Sequence, residues 1–232
     1  MYFGFWDVTY ILVIIGAILS MMASAHVQAV YSRYARVRSR SGLTGAQAAQ
    51  MILQRNDVSD VAIGHVSGNL TDHYDPSKQQ VNLSDTTYGS ESVAAVAVAA
   101  HECGHVMQNH TGYVPLQIRS AMAPITNIGT NIGLWIAILS IIFGLSQTLT
   151  DVGILLYSLG FLFTLVTLPV EFNASHRALV MLEDYGMLTG DENKEARSVL
   201  TAAALTYVAA ATASLLSLLR LILLAGGRRR SD

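Results

Sequence analysis

The chain has 232 residues, 52% of them apolar and only 13% charged, with a net charge of −2; its mean hydropathy of +0.41 is oilier than that of ordinary soluble domains. The basic residues form no stripe, which excludes a nucleic-acid-binding surface. Cys103 is the single cysteine, which excludes an intramolecular disulfide and a cysteine-based zinc cluster.

Four stretches lack Asp, Glu, Lys and Arg: 25 residues between Asp7 and Arg33, 31 between Arg119 and Asp151, 19 between Asp151 and Glu171, and 22 between Arg197 and Arg220. About 20 apolar residues cross a bilayer core, so each is long enough to span it. The expected fold class is a mainly α, multi-pass membrane protein with four transmembrane helices and a small α+β domain. The first stretch lacks a basic n-region and is too long for a signal peptide's apolar core, so it reads as a retained anchor.

After that anchor, assigned to residues 1–32, comes the one long polar region, 33–119. In it Thr44 is placed to cap a helix carrying Ala48, Met51, Ile52 and Arg55. VAIGHVSG and QQVNLS read as short strands. TDHYDP between them reads as a turn, with a second metal site at Asp72, His73 and Asp75 as the sharper alternative. Ser90, Glu91 and Ser92 open a helix assigned to 92–108. Residues 120–170 form a transmembrane hairpin closed by LSQTLTD, with Pro169 expected to break the helix near its end. Residues 171–197 form a further helix, and 198–232 the last span and a basic tail.

The 92–108 helix contains HECGH, an HExxH pattern. Residues i and i+4 share a helix face, so His101 and His105 can aim both imidazoles at one ion, while Glu102 reaches a water beside it. The bland alternative is a pair of core histidines satisfied by backbone or water. A catalytic zinc takes three protein ligands and leaves one position open. Glu171, carried back by the hairpin to the membrane face of His101, is the third candidate; otherwise it merely marks the end of a span. Arg177, His176, Tyr74 and Tyr88 are the candidates to stabilise an oxyanion, with Arg177 preferred. QQVNLS is a candidate edge strand for an extended substrate, or else simply closes a small sheet. Cys103 faces away from the two histidines and reads as core. His26, His65 and His110 read as surface or satisfied histidines, and Arg220 as snorkelling from the last span.

VAAHECGHVMQ followed by LPVEFNASHRAL resembles the HExxH-plus-glutamate arrangement of membrane gluzincins, the HtpX and CAAX prenyl protease group. The longer set GNLTDHYDPSKQQVNLSDTTYGSESVAAVAVAAHECGHVMQ, YVPLQIRSAMAPITNIG, TLPVEFNASHRAL and LTAAALTYVAA resembles the YugP-type neutral zinc metallopeptidase family of bacterial membranes, over roughly residues 60–220. That resemblance implies a zincin-like catalytic domain at 33–119, one Zn2+ per chain held by His101, His105 and Glu171, and Glu102 as general base. Four residues after the glutamate, the wider group has an aspartate that orients a zinc-binding histidine. Ser175 stands there in this chain, a weaker partner.

The function expected is therefore hydrolysis of peptide bonds in membrane proteins or membrane-proximal peptides, at a site close to the bilayer. A non-catalytic, zinc-stabilised membrane scaffold is the alternative; it would have no use for a base at Glu102. The expected partners are a polypeptide substrate and the lipid bilayer, with no nucleic acid, and homo-oligomers remain open. Ten Lys and Arg flank the spans on the side of the polar region against Arg228, Arg229 and Arg230 on the other, which places the catalytic domain in the cytoplasm. The terminal arginines read as a solvated tail or a contact with anionic headgroups.

Overall fold

The structure, a computed structural model, describes residues 7–229. The side chains of the terminal arginines 228–230, and with them the tail reading, lie outside the described set. The elements run α1 (Tyr10–Tyr34), α2 (Gly45–Arg55), β1 (Ala62–Val66), β2 (His73–Asp75), β3 (Gln80–Ser84), α3 (Val93–His110), α4 (Val114–Ile142), α5 (Gln147–Asp184) and α6 (Asp191–Arg229). Four helices, α1, α4, α5 and α6, are long and apolar enough to cross a membrane. The mainly α, four-span fold class stands, with a small sheet beside it.

The chain divides into two compact units. The first holds the described residues up to 24, residues 117–168 and the described residues from 206 onward, and so the larger part of the long helices. Small residues let its helices approach. A Cβ on Gly133 would meet the Tyr157 nitrogen at 2.5 Å, and one on Gly153 would meet the Ala137 nitrogen at the same distance. A Cβ on Gly16 would meet the Ala213 Cα at 3.0 Å. Such contacts replace the hydrophobic drive that is missing between helices in lipid. Near the α4–α5 turn the Thr150 hydroxyl donates to Ser140 Oγ at 2.8 Å, both side chains fully buried. Arg220, expected only to snorkel, reaches Asp7 at 3.5 Å and lies over the Tyr10 ring.

The second unit comprises residues 25–116 and 169–205. Its core joins α2, β3 and α3 to the adjoining parts of α5 and α6 through Ile52, Leu53, Leu83, Val96, Val106, Leu182 and Leu200. Each such side chain, fully withdrawn from water, contributes about 1.5–3 kcal/mol before the entropy of ordering it. Thr44 caps α2 as expected, its side chain accepting from Gln47 N while Gln47 returns a bond to Thr44 N. Ser92 caps α3 by accepting from Ala95 N at 3.1 Å. α3 is buried nearly all round, from Val93 to Gln108, which is why its sequence shows no polar face.

The sheet corrects two expectations. Its order is β1-β3-β2, with β1 parallel to β3 and β2 antiparallel to it. QQVNLS supplies β3, the middle strand, and is therefore not an edge open to a substrate. TDHYDP is not purely a turn either, because His73–Asp75 pair with Gln80–Asn82. Among the described residues the candidates of the second-metal alternative are not gathered as a metal-holding group, and each has a local task. Asp72 accepts from Ser84 N and Oγ, His73 faces Thr71 O and Asn82, and Asp75 organises the β2–β3 turn through Ser77 and Lys78.

A further correction concerns Pro169. It lies inside α5, which runs unbroken from Gln147 to Asp184. Proline removes one backbone donor and crowds the preceding turn, a cost that long apolar helices tolerate when neighbouring groups and small local adjustments re-satisfy the backbone.

Candidate metal centre

α3 and α5 meet at a residue without a side chain. A Cβ on Gly104 would lie 2.5 Å from the carbonyl oxygen of Ala174 and 3.1 Å from its Cα. Gly104 sits between the two histidines, and Ala174 is three residues beyond Glu171, so the backbone contact sets the separation of those three side chains.

His101, His105 and Glu171 converge there, one donor atom from each lying within 4.8 Å of the others. His101 Nε2 is 3.4 Å and His105 Nε2 3.6 Å from the same oxygen, Glu171 Oε2. The two rings stand edge to face, 4.8 Å between centroids and 85° between planes. All three side chains are largely withdrawn from water, at 13%, 11% and 3% exposure. Among the described residues this is the one His, Cys, Asp and Glu cluster with such spacing. Two imidazole nitrogens and a carboxylate, each with its coordinating atom turned inward, match the donor set of a catalytic zinc.

The outer ring nitrogens are also engaged. His101 Nδ1 is 3.1 Å from Ser175 Oγ, so the serine occupies the position toward His101 that the comparison with aspartate anticipated. His105 Nδ1 is 3.0 Å from Gln108 Oε1. Gln108 is fully buried, and its amide nitrogen donates to Val170 O at 2.7 Å and Asn173 Oδ1 at 3.1 Å. Burial opposes a charge on His105, yet the hydrogen bond to Glu171 and the charges of Glu102 and Glu171 outweigh it, and the imidazole titrates above its ordinary value.

Glu102 is buried, at 7% exposure, and stands about 100° around α3 from His101. Its charge acts on His105 and on Cys103. Arg177 spends its Nε on Asn173 Oδ1 at 2.9 Å and an Nη on Thr111 Oγ1 at 3.3 Å. His176 is exposed and, five residues from Glu171, lies about 140° around α5. Tyr74 takes a hydrogen bond from Asn109, and Tyr88 packs against His65. His65 and His110 face Asp85 and Asp60 respectively, in keeping with surface roles. Cys103 is fully buried with its thiol toward Ala49 O, and burial pushes that thiol far up. Gly104 and Gln108 were both missed in reading the sequence. A glycine between two candidate ligands in a helix was the available signal for the first.

The family model described as "Putative neutral zinc metallopeptidase" matches residues 9–226. The protein named "Putative membrane protease YugP" from Bacillus subtilis (strain 168) is 40% identical over 206 residues, covering 89% of this chain and 91% of that protein. No solved structure gives a significant match.

Proposed function

The chain belongs to the neutral zinc metallopeptidase family, and from that premise we propose that it is an integral-membrane zinc endopeptidase of gluzincin type. Its HExxH segment supplies His101, Glu102 and His105, and Glu171 completes the ligand set. The observation that carries this reading is the convergence of His101, His105 and Glu171 within 4.8 Å, with the buried Glu102 next to His101 in the chain. A purely structural zinc would close its fourth position with another protein ligand.

Zinc bound there would polarise a peptide carbonyl and acidify water. The rest of the reaction falls to the chain. Glu102 takes a proton from the attacking water and passes it to the leaving amine, acting first as base and then as acid. Ser175 and Gln108 hold the imidazole rings from behind. Because Arg177 is already bonded to Asn173 and Thr111, it serves the oxyanion only if it leaves them.

Four candidate spans and the relative's name support a membrane location, and a membrane-anchored peptidase suits substrates that are membrane proteins or membrane-proximal peptides. The Lys and Arg distribution supports a cytoplasmic catalytic domain. The test is zinc per chain by elemental analysis, with hydrolysis of a mixture of unstructured peptides, on detergent-purified wild type, Glu102→Gln and Glu171→Ala. Near one zinc in the first two, activity in the first alone, and loss of zinc in the third are expected. A wild type that carries zinc without cleaving any peptide or co-purified membrane protein would favour the scaffold instead.

A further inference from the structure

We infer that Gln108 is a positioning residue that fixes the tautomer of His105, and that Asn173 and Arg177 extend the same relay outward. The inference rests on the zinc reading of the site.

The polarity of the relay follows from chemistry at its outer end. Arginine has donors only, so the Asn173 atom 2.9 Å from Arg177 Nε is the amide oxygen. That oxygen lies 3.1 Å from one Gln108 amide atom, which must therefore be the nitrogen. Val170 O, an acceptor without a proton, faces the same atom at 2.7 Å and demands the same assignment. Both N–H groups of Gln108 are thereby used, and its oxygen is left facing His105 Nδ1 at 3.0 Å. An amide oxygen can only accept. The proton of neutral His105 is thus held on Nδ1, and the Nε2 lone pair turns toward Glu171 and the place for the ion.

Rotating the Gln108 amide by half a turn would set its oxygen against two acceptors in a fully buried place, where an unsatisfied polar group is costly. His101 differs in this respect. Its partner, the Ser175 hydroxyl, can donate or accept, so it supports the ring without selecting a tautomer. Arg177, preferred from sequence as an oxyanion donor, has a second role here as the anchor that orients the Asn173 amide.

The test is the zinc dissociation constant of the full-length, detergent-purified chain, measured by competition with a chromophoric chelator. Thermal melting of the metal-free proteins checks folding. Gln108→Leu is expected to weaken zinc about 10–100-fold, the range found when a ligand's outer partner is lost. Arg177→Leu is expected to weaken it several-fold in the wild-type background. In an Asn173→Asp background it should have no such effect, because a carboxylate presents an oxygen to Gln108 whichever way it turns. A merely structural role for Arg177 would not be abolished by that change. Wild type without zinc would overturn the site reading and the relay together. Wild type with zinc and Gln108→Leu within twofold of it would overturn the relay alone. If Gln108→Leu does not fold, the Arg177 pair decides: equal weakening in both backgrounds overturns the relay.

Discussion

Gly104 of α3 rests against the backbone of Ala174 on α5, with no room for even a methyl group between them. Replacing a helix-interior glycine by alanine ordinarily gains about 1 kcal/mol of helix propensity. Here the added carbon meets a carbonyl oxygen and a Cα, and neither can rotate away. Overpacking of this kind costs about 1–3 kcal/mol, so Gly104→Ala should lower the melting temperature and weaken zinc binding together. Gly89→Ala, with open space around the added carbon, should do neither. If Gly104→Ala melts at or above wild type and binds zinc normally, the two helices are not in this contact.

Ser175 tests how much the His101 partner matters. Its hydroxyl is the one side-chain group hydrogen-bonded to His101 Nδ1 among the described residues. Ser175→Ala should weaken zinc by roughly tenfold, the lower end of what losing such a partner costs. Ser175→Asp places a charge-assisted acceptor behind the same ring and should bind zinc more tightly than wild type. Equal affinities in all three proteins, by chelator competition, would remove the serine from the site.

Much of this architecture was legible because its signals are one-dimensional. A bilayer imposes a minimum length on an uncharged run, so counting between charges located α1, α4, α5 and α6. The i, i+4 spacing of His101 and His105 is likewise a property of the helix alone. Glu171 became legible through the hairpin that returns it. What stayed hidden depends on partners distant in sequence. Strand order cannot be read from alternation, so β3 was mistaken for a candidate edge although β1 and β2 flank it. The two-residue approach of Gly104 and Ala174, and the bond from Gln108 to Val170, join positions about 70 and 62 apart along the chain. Pro169 misled because its local preference against helix is overridden in α5.

Cys103 should be chemically silent while the protein is folded. It is fully buried, and burial together with the charge of Glu102 raises its pKa far above the ordinary thiol range, leaving almost no thiolate to react. A maleimide applied at neutral pH should label the native protein negligibly and the denatured protein fully. Removing zinc with a chelator should not expose the thiol, since it packs toward Ala49 on α2. Fast labelling of the native chain would contradict the packing of α3 on α2.

That silence makes the wild type a blank background for finding which side of the membrane the site occupies. Lys78 in the β2–β3 turn has a side chain 72% exposed, and a cysteine there would be the one reactive thiol. The turn's order comes from Asp75, whose oxygen is held by Ser77 and by the Lys78 backbone, so Lys78→Cys leaves its main supports in place. The exposed Lys78–Asp75 ion pair, at 3.5 Å, contributes little. With ten Lys and Arg on this side of the spans and three on the other, the turn should face the cytoplasm. A membrane-impermeant maleimide should then miss Lys78→Cys in intact cells and label it in inverted vesicles or after permeabilisation. Labelling in intact cells would reverse the orientation and move the candidate peptidase site to the outer face of the membrane.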